Sequence, residues 1–323
     1  MREAMSVSLL LLLALSCGRA NANADAVRAR GSFHLSEGKY DLAIAAFDSA
    51  IAMRSDDADS YISRGNAYAS KRDLDRAIQS YDSAIALRPN QSFAYKNRGM
   101  TYTTKGDFDR AIRDLDRAIA LQPDYATAYN SRGFAYQMKG DYEHAVKDYD
   151  RSIELSPKSA ATYGNRANVH FILGHFPEAT HDLERSLSFY QAETKPSEFL
   201  SEPGAYGVIW LHLAKMRQGA ADAEEFTANS ARIDSTSWPG QIAAFYRGRL
   251  PADRLVALAG NGDTDRQPDQ RCGAEFFIGQ AAVAKKQTAE ARQRFEATLG
   301  CSKRHVEREI ADAELRRLGA GTR

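Results

Sequence analysis

Small and apolar positions along this chain recur on two scales, a helical one and a longer one of 34 residues. Gly31, Gly65, Gly99 and Gly133 stand one long step apart, as do Ala43, Ala77, Ala111, Ala145 and Ala179, and later in the register Pro89, Pro123 and Pro157. Aromatic residues keep the same step: Tyr61, Tyr95, Tyr129 and Tyr163 in one register, Tyr68, Tyr102 and Tyr136 in a second, Tyr40, Phe108, Tyr142 and Phe176 in a third. Fixed-period self-similarity of this kind identifies a stacked array whose members bury their apolar faces only against neighbours. Within one period the pattern predicts two antiparallel helices, Ser92–Lys105 and Phe108–Leu121, with Gly106 turning the chain between them and Pro123 ending the pair. Gly99 and Ala111 are small where the helix backbones approach closely, and Tyr95, Tyr102 and Leu115 fill the space beside them.

These residues and spacings resemble the tetratricopeptide repeat, whose pattern asks for a large residue, Gly, Tyr, Ala, an aromatic, Ala and Pro in order. The resemblance implies an all-α fold, a right-handed superhelical solenoid of antiparallel helix pairs. Five repeats run over 24–191. The first and fifth deviate, with Val27 and His34 replacing aromatics in one, and Ala167 and His170 replacing Gly and Tyr in the other, as terminal members of a solenoid do. Two charges also recur: Arg30, Arg64, Arg98, Arg132 and Arg166 on the first helix of each pair, Asp48, Asp82, Asp116, Asp150 and Glu184 on the second. They are expected to form a ladder of ion pairs along the stack or, one by one, to stand solvated and contribute little.

Beyond the repeats, 192–271 reads as a connector followed by divergent helical segments at 205–217, 221–233, 241–246 and 253–259, with a loop opening at Gly260. A divergent sixth repeat fills 272–323, with Gly279, Ala291 and Phe295 at repeat offsets, Cys272 opening its first helix and Cys301 ending its second. A charged helix over 303–318 closes the chain as a polar cap. The run of apolar motifs outside the repeats is similar to bacterial envelope lipoproteins of the NlpI type. That likeness implies a periplasmic adaptor that brings envelope proteases or peptidoglycan-remodelling enzymes to their substrates.

The first 24 residues differ from the rest: Arg2, an apolar run over 7–15, then Ala20-Asn21-Ala22-Asn23-Ala24. The run is shorter than the about 20 apolar residues of a spanning helix, and small residues alternate where a signal peptidase cuts, so 1–24 reads as a secretory signal peptide. The exported chain is expected to reside in the bacterial periplasm. Cys17 stands in a degraded lipobox, with Ala14 and Leu15 where Leu and a small residue are preferred, so lipid anchoring at Cys17 is the alternative route and the only one to a membrane. Export leaves Cys272 and Cys301, which suggests one disulfide between the two ends of a helical hairpin.

Of the 323 residues 43% are hydrophobic and 26% charged, ordinary values for a globular protein. Without the leader, basic and acidic residues balance, so nothing steers the chain toward nucleic acid. No phosphate loop, nucleophile elbow or metal-ligand spacing appears, and His170, His175 and His181 point in different directions on a helix. The expectation is therefore a non-enzymatic scaffold without cofactor, metal or small-molecule substrate, whose partners are proteins. A structural component of an outer-membrane or cell-wall assembly is the alternative, a hydrolase subunit with unrecognised chemistry the residual one.

Binding in the family uses the concave wall of first helices. Carried onto this chain, the wall displays Phe93, Lys96, Met100, Asn130, Phe134, Gln137 and Asn168 as partner-binding residues, with Asp59, Ile62, Asn66, Gly164 and Phe171 nearby. Phe93, Met100 and Phe134 are the informative ones, because repeat packing does not require apolar residues there. The carboxylate clamp of chaperone-tail receptors is absent: Lys96 fits, but Met100, Ser131, Ala161 and Asn165 do not.

Overall fold

The computed structural model describes residues 23–193, 202–260, 267–300 and 306–320. These residues form helices and connecting turns, with no strand among them. Helix α1 covers 23–36. It is followed by α2 (Tyr40–Met53), α3 (Ala58–Ser70), α4 (Leu74–Leu87), α5 (Ser92–Lys105), α6 (Phe108–Leu121), α7 (Ala126–Lys139) and α8 (Tyr142–Leu155). Then come α9 (Ala160–Leu173), α10 (Phe176–Glu193), α11 (Glu202–Arg217), α12 (Ala223–Ser230), α13 (Trp238–Tyr246) and α14 (Ala252–Ala259). The last three are α15 (Gln267–Ala284), α16 (Thr288–Leu299) and α17 (Val306–Ala320). The bounds of α5 and α6 are those the repeat pattern predicts. The chain divides into two compact bodies, one up to Leu155 and one from Ser156, so the fifth repeat is packed with the divergent helices.

The N-terminal body shows why the small residues recur. A methyl group added at Gly65 would come within 2.5 Å of the Tyr81 ring, one at Gly133 within 2.8 Å of Tyr149, and one at Gly99 within 2.9 Å of Leu115. Each of those large residues is nearly or wholly buried, so a single side chain of the second helix plugs a notch in the first and sets their spacing. The turn within each pair needs one residue in the left-handed region. Gly106 and Gly140 supply it at φ 85° and 86°, while Arg72 holds the equivalent place at φ 66° and carries the strain that glycine avoids. The second helices then start on aspartate caps: Asp73 and Asp107 accept hydrogen bonds from the amides of Arg76 and Arg110.

The expected charge ladder is present and denser than its sequence reading. Arg64, Arg98 and Arg132 reach Asp48, Asp82 and Asp116 on the second helix of the preceding repeat, at 2.7, 2.5 and 2.6 Å. The same guanidinium groups of Arg98 and Arg132 also grip Asp114 and Asp148 of their own repeat in two-pronged bonds of 2.6 to 2.7 Å. Both aspartates are buried. Burial pulls the two arginines' pKa down, but bonds and charge from the paired carboxylates outweigh it and hold them above their ordinary value. Each guanidinium lies over the tyrosine three residues earlier, Tyr95 at 5.7 Å and Tyr129 at 5.5 Å. Arg30 makes no ion pair among the described residues, because Ala46 stands where later repeats place the buried aspartate. Glu184 pairs with Lys215 of α11 at 3.3 Å.

The C-terminal body is built around aromatic residues. Trp210 of α11 meets Phe171 of α9 at 5.4 Å between centroids, Phe276 of α15 at 5.5 Å and Phe277 at 6.0 Å. Helix α17 packs on α16, α15 and back onto α9. The expected polar cap is thus a closing helix: Ile310, Ala311, Ala313 and Glu314 are buried along one side of it. Glu314 joins Arg217 at 2.5 Å and Arg317 at 2.8 Å, and both guanidinium groups lie over the Phe176 ring. Arg317 also donates to the carbonyls of Phe171 and Ile172 at the end of α9.

Other boundaries shift for local reasons. The segment expected over 221–233 stops at Ser230, whose hydroxyl turns back to the Phe226 carbonyl. Helix α13 begins earlier than expected because Ser237 caps it and Pro239 occupies its first turn. Cys272 lies inside α15, which starts at Gln267, instead of opening the helix. Residues 1–22, Cys17 among them, and Cys301 lie outside the described residues.

Candidate functional site

Helices α5 and α7, the first helices of the third and fourth repeats, pack side by side. On α5, Phe93, Lys96 and Met100 follow one another at helical spacing along one face. Phe134 and Asn130 do the same on α7. Phe93, Met100 and Phe134 are 53%, 46% and 40% exposed, whereas the tyrosines of the same helices, Tyr95, Tyr102, Tyr129 and Tyr136, are partly covered. Phe93 is propped by an edge-on contact with the buried Tyr125 at 5.2 Å, which limits its rotamers without hiding it. The face is therefore pre-formed.

Lys96 stands among these apolar residues, half-buried, with no ion pair or hydrogen bond among the described residues. Burial pulls its pKa down. Three lysines at the ends of first helices are paired instead: Lys71 with Asp41, Lys105 with Asp75 and Lys139 with Asp109, while Lys147, also without an ion pair among the described residues, is exposed. Lys96 is thus an unpaired, partly desolvated ammonium on the α5 face that also carries the exposed Phe93 and Met100.

Several residues assigned to the wall are not available. Gln137 is buried, and its carbonyl accepts the Tyr149 hydroxyl at 2.9 Å, so it belongs to the interior of the fourth repeat. Ile62 is buried, and Asn66 accepts from Tyr81 at 2.7 Å and Asn97 at 2.9 Å. Asp59 is held by Gln91 at 2.9 Å and Arg88 at 3.1 Å. In the C-terminal body Phe171 is buried against Trp210 and Phe176, and Asn168 is half-buried on α9. Sequence position places these residues on a helix face, but only tertiary packing reveals which of its members a neighbouring helix covers. The Lys71, Lys105, Lys139 series and the buried Asp114, Asp148, Asp182 series escaped notice, although both keep the 34-residue step. Arg166 joins Asp182 as Arg98 joins Asp114. No group of three or more His, Cys, Asp or Glu able to hold a metal occurs among the described residues.

The repeated geometry decides the family. Four stretches match repeat families: 28–92, 126–159 and 159–194 the family described as tetratricopeptide repeat, and 99–140 that described as TPR repeat. The chain belongs to the tetratricopeptide-repeat family. No curated protein matches the sequence. Among solved structures, PilW, a widely conserved type IV pilus biogenesis factor, superposes with a TM-score of 0.58 at 16% identity, covering 68% of this chain and 96% of its own. A tetratricopeptide-repeat protein from Parabacteroides merdae gives 0.53 at 15% identity over 90% of this chain and 98% of its own. A thermophilic member from Thermus thermophilus gives 0.50 at 18%, covering 58% and 99%. At such identities the likeness concerns the fold.

Proposed function

We propose that this chain is a non-enzymatic adaptor of the bacterial cell envelope that holds a partner polypeptide on the α5–α7 face. The family supports a protein-binding scaffold in general. The observation that carries the specific reading is the exposure of Phe93, Met100 and Phe134 on the neighbouring helices α5 and α7, with the unpaired Lys96 on the same face of α5. Such a face suits a segment with apolar side chains and a carboxylate, and proteases or wall-remodelling enzymes of the envelope are the proposed clients.

Export rests on the leader-like residues before 25. Cleavage after Ala22 suits the fold better than cleavage after Ala24, because Ala24 is wholly buried within α1. Lipidation at Cys17 remains the alternative route, and with it a membrane-anchored form. A Cys272–Cys301 disulfide is proposed for the oxidised protein, supported by the position of Cys272 in the first turns of α15, which packs against α16.

A photo-crosslinking amino acid placed at Phe134, with a control at the exposed Arg113 on α6, tests the reading in intact cells. The expected result is a discrete set of adducts from position 134 and none of them from position 113. Equal adducts from both positions would move binding off this face.

A further inference from the structure

The C-terminal body contains a cavity of about 340 Å³ that the repeat pattern does not foreshadow. It opens between α10, α11 and α12. Leu187, Val208, Leu211 and Phe226 give it an apolar lining, and His212 and Lys215 bring polar groups to it. Its volume falls at the lower end of small-ligand sites, enough for one ring-sized group.

His212 is the informative residue. Its ring stacks on Phe226 with centroids 4.0 Å apart and planes 22° from parallel, and meets Tyr246 edge-on at 5.5 Å. It makes no hydrogen bond among the described residues while lining the cavity. The aromatic contacts fix the imidazole plane, and its ring nitrogens, with no hydrogen-bond partner in the protein among the described residues, stay open to a guest in the cavity. Charge is already engaged nearby: Lys215 bonds Glu225 at 2.9 Å and Glu184 at 3.3 Å, and the Asp222 carboxylate caps α12 by accepting from the amides of Glu224 and Glu225 at 2.7 and 3.1 Å. Such a site disfavours an ionic guest, whose charge would enter without a counter-ion.

We propose that this cavity binds a neutral aromatic ring bearing a hydroxyl group, with the ring against the apolar lining and the hydroxyl hydrogen-bonded to His212. A phenol can donate to the unprotonated ring nitrogen or accept from the protonated one, so either neutral tautomer serves. Burial pushes the His212 pKa down to about 4, with Glu225 opposing, which keeps the imidazole neutral at ordinary pH. The chemistry is that of a tyrosine side chain on a peptide or of a free phenolic compound. It is independent of the α5–α7 face.

Titration of the full chain with p-cresol, followed by NMR of the His212 and Phe226 ring signals, tests the site, with toluene as the hydroxyl-free control. The expected result is saturable shifts with a Kd of about 1 mM, and five- to tenfold weaker binding of toluene. In His212→Phe, p-cresol and toluene should bind alike. Val208→Trp should fill the cavity and abolish both, with circular dichroism confirming that each variant is folded. N-acetyl-tyrosinamide distinguishes the sources: binding at least as tight as p-cresol assigns the site to a peptide tyrosine, exclusion assigns it to free phenols. Absence of saturable shifts in the native protein, or equal affinity for toluene and p-cresol, would overturn the proposal.

Discussion

The two bodies of this chain solve the same packing problem by different means. In the N-terminal body the third and fourth members repeat one solution: a glycine notch filled by a residue of the second helix, an arginine forked between two aspartates, and an aspartate-capped second helix, while Arg64 of the second member grips Asp48 and Ser80. Its contacts are local, so damage at one repeat is expected to stay near that repeat. The C-terminal body relies on closures distant in sequence, Trp210 on Phe171 and Phe276, and α17 on α9. There a single lesion should reach the whole body. Repetition thus confines damage, and closure spreads it.

The sharpest test of that contrast is Glu314→Ala. It would leave Arg217 and Arg317 without their buried counter-charge, and removing one partner from a buried ion pair typically costs about 3 to 5 kcal/mol. Hydrogen exchange should show protection lost across α9, α11 and α17 while α3 to α7 keep theirs. Gly99→Leu should cost about 3 kcal/mol by overpacking against Leu115 and the Ala111 carbonyl. Its exchange should rise in α5 and α6 and little beyond their neighbours.

Acidity should separate the bodies as well. The depressed pKa of His212 means that the unfolded chain takes up its proton first as pH falls. Stability contributed by the neutral ring is complete above about pH 6.5 and is lost between there and about pH 4. Thermal melting at pH 7 and 4.5 should show a drop that His212→Phe reduces. Asp57 in the N-terminal body holds its carboxylate below the ordinary range: burial opposes this, but Ser60 and Arg54 outweigh it, so its contribution is complete above about pH 4 and is lost only as pH falls below that. The smallest expected effect is a gain. Arg72→Gly should relieve the left-handed strain and stabilise by about 0.5 kcal/mol in urea unfolding.

The same contrast governs what was legible in the sequence. Helices α5 and α6 could be bounded to the residue because Gly106, Asp107 and Pro123 mark their ends and the neighbouring repeats say the same thing again. The sixth pair was recognisable from Gly279 and Phe295, which touch as Gly31 and Phe47 do. Return of α17 to α9 left no trace, because a charged surface in sequence conceals the buried side formed by Ile310, Ala311 and Glu314. At the candidate face, the exposure of Phe93, Met100 and Phe134 was legible because the repeat does not need them apolar. Gln137 was misassigned because an amide can satisfy a buried tyrosine as readily as a partner's backbone.

The proposed α5–α7 face is expected to bind a partner without being needed for the fold. Isothermal titration of a partner captured at position 134, against the native chain and against Met100→Ala combined with Phe134→Ala, tests it directly. Truncation of interface anchors costs about 2 kcal/mol or more, so affinity should fall about thirtyfold with the melting temperature nearly unchanged. Unchanged affinity, or a destabilisation as large as that of Gly99→Leu, would contradict it.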